Sequence, residues 1–384
     1  MTDIARHAAG MQALLPEILA MSERLVNIDS GSYLPHGVNA VQDVWAGMLA
    51  GMGFDVQRTP LPGFGDQMTA RLALAGHGPR VLVLGHADTV WPAGIAAEWP
   101  FAREGDRITG PGVGDMKTNV VMALHAIRML LAGGALGHLG SLTVCIVPDE
   151  EIGSPGSRAW LEAEAARADL CLTLEPCRPG GGMVVGRGAV GAVYLTATGI
   201  TAHIGSAREK GASAVAALAA LVAPLEALGD PGAGLCATVG ILRGGEARQV
   251  VPGSAEIHLD LRAPDDAAGE ALIAEVRAIA ARAPADPRVS IAFRGGFTRP
   301  AFPTHPGTRR LYALAQGFCA TLGIPVHEVV SRGGSDGSFA ARLGVPTLDG
   351  LGPITHETCS RREWVEVPSI VTRGAVLAAL LAQR

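Results

Sequence analysis

Leu142-Thr143-Val144-Cys145-Ile146-Val147-Pro148-Asp149-Glu150-Glu151-Ile152-Gly153 is an apolar run that ends in three consecutive carboxylates. A nearly continuous apolar run of this length reads as a buried strand. The acids then stand at the strand's carboxyl end. Crowding anions beside a hydrophobic core is unfavourable unless cations or protons compensate. A metal centre would supply the cation, and a carboxylate outside the ligand set would serve as the base. Taken alone, the three acids read better as a solvated acidic turn.

The flanking sequence extends the pattern. Val81 to Gly85 and Leu170 to Leu174 are further apolar strands, and Met116 to Ala132 and Trp160 to Arg167 have helical spacing. Strands separated by helices predict an α/β fold: a mostly parallel, twisted sheet with helices on both faces. After Gly180-Gly181-Gly182 the order changes. Strand 191–198, helix 211–228, strands 235–242 and 255–262, helix 266–283 and strand 288–293 follow in turn. This β-α-β-β-α-β order is that of a ferredoxin-like α+β unit. Beyond Gly295-Gly296, helix 308–321, strand 345–348 and a helix from Pro368 resume the first pattern. The expected organisation is a domain of residues 1–185 and 296–384 with a small domain, 186–295, inserted.

With 48% hydrophobic and 17% charged residues, the chain has the composition of a globular protein. Its formal charge of −5 offers no basic footprint, so no nucleic-acid partner is expected. The N-terminal stretch mixes Arg6, Glu17, Glu23 and Arg24 among apolar residues and reads as an amphipathic helix rather than a signal peptide. No segment reads as membrane-spanning. The six cysteines are scattered without a Cys-x-x-Cys pair, which suggests unpaired thiols and a cytoplasmic setting.

In open parallel sheets, ligands bind beyond the carboxyl ends of the strands. His86 and Asp88 follow the Val81–Gly85 strand, Glu150 and Glu151 follow Val147, and Glu175 follows Leu174. Asp115 opens a helix after Gly110-Pro-Gly-Val-Gly, and His356 lies in the loop after Leu348. Separately these residues are ordinary: a hydrogen-bonded His–Asp pair, a helix cap, loop residues. Together they bring His, Asp and Glu to one edge of one sheet, the mark of a metal site. Asp88 has a use there as acceptor for the imidazole N–H of His86. Asp115, Glu151, Glu175 and a bound hydroxide carry four negative charges, which two divalent ions neutralise. Mixed His and carboxylate ligation suits zinc, with cobalt or manganese as substitutes. Glu150 would then take a proton from water and return it to a leaving amine. No serine nucleophile is expected.

These residues resemble the zinc aminoacylase and glutamate carboxypeptidase (carboxypeptidase G-like) family of metallopeptidases. The likeness runs from about residue 80 onward. It includes His-Ala-Asp-Thr-Val, Gly-Pro-Gly-Val-Gly-Asp-Met-Lys, Asp-Glu-Glu, Leu-Glu-Pro, Arg-Pro-Ala-Phe (299–302) and Gly-Gly-Ser-Asp (333–336). The resemblance implies that Asp115 bridges two zincs, His86 and Glu175 completing one and Glu151 and His356 the other. It further implies that Asp88 orients His86, that Glu150 is the general acid/base, and that the Asp115–Met116 peptide is cis. The inserted domain would be a lid and dimerisation domain whose His203 reaches a neighbouring subunit's site in a homodimer. Arg262 and Arg299 match positions that bind a substrate carboxylate, although each equally reads as a salt-bridged structural arginine. Gln249 stands where the family has Asn. The stretch after Glu175-Pro176 lacks a lysine found in similar enzymes, with Arg178 and Arg187 as substitutes. The implied activity is hydrolysis of an amide next to a free carboxylate in a small peptide or N-acyl amino acid. A glutamate carboxypeptidase is the first reading, an N-acyl amino acid deacylase or dipeptidase the second. A non-catalytic binding protein on the same fold is the remote third. Asp149 has no evident role.

Overall fold

A computed structural model describes residues 4–282 and 284–383, so Ala283, the expected end of one helix, lies outside the described residues. The chain divides into two compact units. The first is Met1–Gly186 with Pro303–Val330 and Ser335–Arg384, and the second is Arg187–Phe302 with Ser331–Gly334.

The first unit is built on a six-stranded sheet. In spatial order its strands are Asp55–Thr59, Gln67–Ala73, Ser141–Val147, Arg80–His86, Leu170–Thr173 and Thr347–Leu348. The last four run parallel and the first two are antiparallel additions. Alternating side chains of the central strand explain why both faces are covered. Val81 and Val83 join a core with Met11, Ile18 and Leu25 of the Ile4–Val26 helix and with residues of helices Thr118–Ala132 and Val367–Ala382. Leu82 and Leu84 pack on the opposite side with Leu161, Ala165 and Phe339 of helices Arg158–Ala165 and Gly337–Arg342.

Parallel register aligns the strand ends, His86 beside Val147 and Leu84 beside Thr173. The residues that follow these strands therefore emerge at one edge. A smaller four-stranded sheet in this unit contains Ala102–Glu104, Arg107–Thr109, Trp364–Glu366 and Thr355–His356.

The second unit has a four-stranded antiparallel sheet in the order Cys236–Gly244, Ser254–Ala263, Ala189–Thr198, Ser290–Arg299. Helices Ala214–Glu226 and Asp266–Ala280 supply Leu218, Leu221, Leu225, Leu272 and Val276 to one face, opposite Val193, Leu195, Ile257 and Leu259. Ser213 and Asp265 cap these helices by accepting the N–H groups of Ala216 and Ala268. Gly295 and Gly296, read as the end of the inserted segment, lie inside its last strand. That strand continues to Arg299 by pairing with Val190–Thr198. Continuous pairing with a neighbour outweighs the local punctuation of a glycine pair.

Candidate metal centre

Each acidic residue at the parallel-strand edge is held by its own backbone setting. His86 is the last residue of its strand and is buried, with Nε2 3.2 Å from Asp115 Oδ1. Its Nδ1 lies 2.9 Å from the main-chain carbonyl of Asp88 and 3.4 Å from that residue's Oδ1. The nearer partner is thus the backbone, because the Asp88 carboxylate has other donors. It accepts the Ser32 hydroxyl at 2.7 Å and the N–H groups of Glu150 and Glu151 at 3.1 and 3.0 Å.

Asp115 does not cap a helix. It sits in a distorted turn, Val113–Lys117, at φ −127° and ψ 85°, and the regular helix begins at Thr118. The Asp115–Met116 peptide is cis. Gly112, at φ +69°, adopts the left-handed conformation that glycine tolerates, and a Cβ on Gly114 would collide with the Thr355 side chain. The donor atoms of His86, Asp115 and Glu151 lie within 4.8 Å of one another. Glu150 and Glu175 are both buried, with their charges close to that cluster.

Burial and mutual charge set the electrostatics of this collection. Burial drives the Glu151 and Glu175 carboxyls well above the ordinary range, and the charge of Asp115 adds to the effect. Burial opposes charge on Asp115 too, but the His86 hydrogen bond and charge hold it below its usual value, with help from Arg178. Burial likewise opposes the imidazolium of His86, yet its bonds to Asp115 and Asp88 leave its pKa well above normal. Oxygen and imidazole donors at this spacing, carrying excess negative charge, fit divalent metal ions.

His356 is placed differently. Its Nε2 is 2.8 Å from Glu366 Oε1 and its ring stacks on Trp364 at 3.9 Å, with Arg107 over the far face of that indole at 4.1 Å. Among the described residues the compact donor cluster comprises His86, Asp115 and Glu151, and His356 is not in it. The Gly333-Gly334-Ser335-Asp336-Gly337 stretch does match the Gly-x-Ser-x-Gly spacing of a serine nucleophile. Ser335, however, is fully buried, and its Oγ accepts the Gly337 N–H. Gly-Gly-Ser-Asp instead supplies Asp336, which accepts the Ser154 hydroxyl just after the glutamate pair.

Two contacts escape sequence reasoning. Asp149 is buried and accepts the Gly156 N–H at 2.7 Å, while its carbonyl takes Ser154 N–H, so it closes the turn below Glu150 and Glu151. Glu363, which the sequence reading passed over, is buried against Gly114, Asp115 and Cys359. Burial and the nearby Asp115 charge raise its carboxyl to about 8.

All but one of the remaining predicted residues belong to the second unit. His203 is exposed, and its Nδ1 accepts the Gly205 N–H at 3.1 Å. It pairs in a short ladder with Val250, next to exposed Gln249. Arg262 forms a two-pronged ion pair with Asp260 at 2.7 and 2.9 Å. Arg299 is buried beside Gly334. Arg187 is buried with Nη1 on the carbonyls of Gly333 and Gly334, both at 2.9 Å, so it anchors that segment. Arg178, in the first unit, is half-buried.

Residues 82–383 match the model of peptidase family M20/M25/M40. The chain belongs to this family. It is 32% identical over 379 residues to carboxypeptidase G2 of Pseudomonas sp. (strain RS-16), covering 95% of this chain and 89% of that one. It is 34% identical over 280 residues to succinyl-diaminopimelate desuccinylase of Gluconobacter oxydans (strain 621H), covering 67% and 72%. An M20 family metallo-carboxypeptidase from Sulfolobus solfataricus shares the fold, with a TM-score of 0.77, 15% identity and coverage of 95% and 98%. As a member of the M20 metallopeptidases the chain is a hydrolase. No helix among the described residues is long and apolar enough to cross a membrane.

Proposed function

We propose that this M20 hydrolase uses two zinc ions to cleave an amide bond next to a free carboxylate, as a glutamate-type carboxypeptidase. The observation that carries this reading is the pinning of the glutamate pair. Asp88 binds both main-chain N–H groups, Glu151 joins His86 and Asp115 in the donor cluster, and Glu150 is buried beside them. In this reading His86, Asp115, Glu151, Glu175 and His356 would hold the metals. Bound zinc, or cobalt or manganese in its place, supplies Lewis acidity toward the amide carbonyl and an acidified water. Glu150 takes a proton from water as the water oxygen bonds to the amide carbon. It delivers the proton to the departing nitrogen as the C–N bond breaks. Water is the nucleophile, and no acyl-enzyme forms.

His203 is assigned to the developing oxyanion. Because Nδ1 accepts the Gly205 N–H, the neutral ring carries its proton on Nε2, where it can donate. Following the family resemblance, that site belongs to a neighbouring subunit of a homodimer formed through the inserted unit. Arg262, Arg299 and Gln249 are assigned to the substrate, the guanidinium groups to its carboxylate. The six cysteines, none of them disulfide-bonded, support a reducing, cytoplasmic setting.

Deacylation of an N-acyl amino acid is the second reading, favoured by the likeness to the desuccinylase. The test is a hydrolysis panel with metal analysis, comparing dipeptides and acyl conjugates ending in glutamate with succinyl-amino acids. Zinc-dependent release of glutamate supports the first reading, and turnover confined to succinyl substrates selects the second. If the zinc-loaded chain cleaves no amide, both are wrong.

A further inference from the structure

Glu363 lies between the Thr355–His356 and Trp364–Glu366 strands and is 1% exposed. A buried carboxylate is costly unless donors surround it. Here the donors are all main-chain. Oε1 accepts the N–H groups of Gly114 and Asp115 at 2.9 and 3.2 Å, and Oε2 accepts that of Cys359 at 3.1 Å. One side chain therefore joins two separate segments: the turn that carries Asp115 and the loop that follows His356.

Both segments need such a brace. Glu357 and Cys359 have φ of +51° and +59°, left-handed backbone that is unfavourable for a non-glycine residue. Asp115 lies in a turn with non-helical backbone angles, whose far end is tied by Lys117 Nζ to the Ile28 carbonyl at 2.7 Å. The loop also brings Cys359 Sγ to 3.6 Å from Asp115 Oδ2, while His86 faces Oδ1 at 3.2 Å.

We propose that Glu363 is a positioning residue for the metal centre, setting the Asp115 carboxylate against the His356 loop. This rests on the two-zinc reading above. Glutamate is singled out by its chemistry. Donors from two segments require two acceptor oxygens, whereas glutamine offers one oxygen and turns an NH2 group toward the other N–H. Glu363→Gln must therefore release one segment at nearly constant volume, and Glu363→Ala releases both.

The experiment strips the full chain of metal and titrates it with zinc against a chromophoric chelator, following the melting of the metal-free chain in parallel. Wild type should take up two zinc ions. Glu363→Gln should bind the weaker-held ion about 10–100-fold less tightly, the range for losing an outer hydrogen-bond partner of a ligand. Its metal-free melting curve should overlay that of wild type. Glu363→Ala should show a larger loss. Wild-type affinity for both ions in the two variants overturns the inference alone. So does loss of both ions together with loss of the metal-free melting transition in Glu363→Gln, which marks a merely structural side chain. A wild-type chain that binds no zinc overturns the metal reading and this inference with it.

Discussion

The carboxylate of Asp88 accepts the main-chain N–H groups of both Glu150 and Glu151, at 3.1 and 3.0 Å. The residue that follows His86 by two positions thus also sets the backbone of the proposed base and of its ligand neighbour. Two acceptor oxygens are needed for this. Asp88→Asn, which keeps one, should weaken metal binding about 10–100-fold and lower turnover with it. Metal titration and kinetics on the same preparation would check this, and unchanged affinity would show that the backbone contacts alone suffice.

Glu150 and Glu151 should separate cleanly when substituted. Glu150→Gln removes the proton acceptor and should lower kcat about 10²–10⁴-fold while metal content stays at the wild-type level. Glu151→Gln should instead lose metal. Retained turnover in Glu150→Gln would end its assignment as general acid/base.

His203 offers a test of assembly. His203→Ala should fold normally and lose turnover. Mixing it with Glu150→Gln should restore part of the activity in heterodimers, because one site then receives both intact residues. If subunit exchange is demonstrated and no activity returns, the cross-subunit assignment fails.

His125 predicts a pH dependence of stability that does not involve the candidate metal ligands. Burial lowers its pKa, the Val121 carbonyl accepts Nδ1–H at 2.8 Å, and Arg128 opposes and Glu17 favours its charge. The folded pKa lies below the unfolded value of about 6.5, so between the two the unfolded chain holds more protons. Stability is therefore lost as pH falls below about 6.5 and is fully present above it. With chelator throughout, the urea midpoint of His125→Gln should drop less between pH 7.5 and 5.5 than that of wild type. Equal drops would show that His125 does not contribute.

The strand pattern was legible because burial on both faces writes itself as local apolar runs such as Leu142–Val147. His86, Glu150, Glu151 and Glu175 were legible because they directly follow such runs. Glu363 was not: its partners, Gly114 and Asp115, lie some 250 residues away, and its neighbours Arg361 and Arg362 make the stretch look solvated. Arg187 was ambiguous for the same reason. The carbonyls it binds, at Gly333 and Gly334, leave no trace in the residues around it.

The sequence by itself determined the four parallel strands of the central sheet and the acids that follow them, since apolar runs are local signals, whereas the antiparallel strands Asp55–Thr59 and Gln67–Ala73 came only with the structure. Only the tertiary structure decided which acid braces which backbone. Asp88 serves Glu150 and Glu151, Asp149 closes their turn, and Glu363 clasps Asp115. The physical reason is that hydrogen bonds to main-chain N–H groups carry no side-chain signature. Any residue except proline can donate them, so the partner of a buried carboxylate is set by where the folded backbone brings its amides.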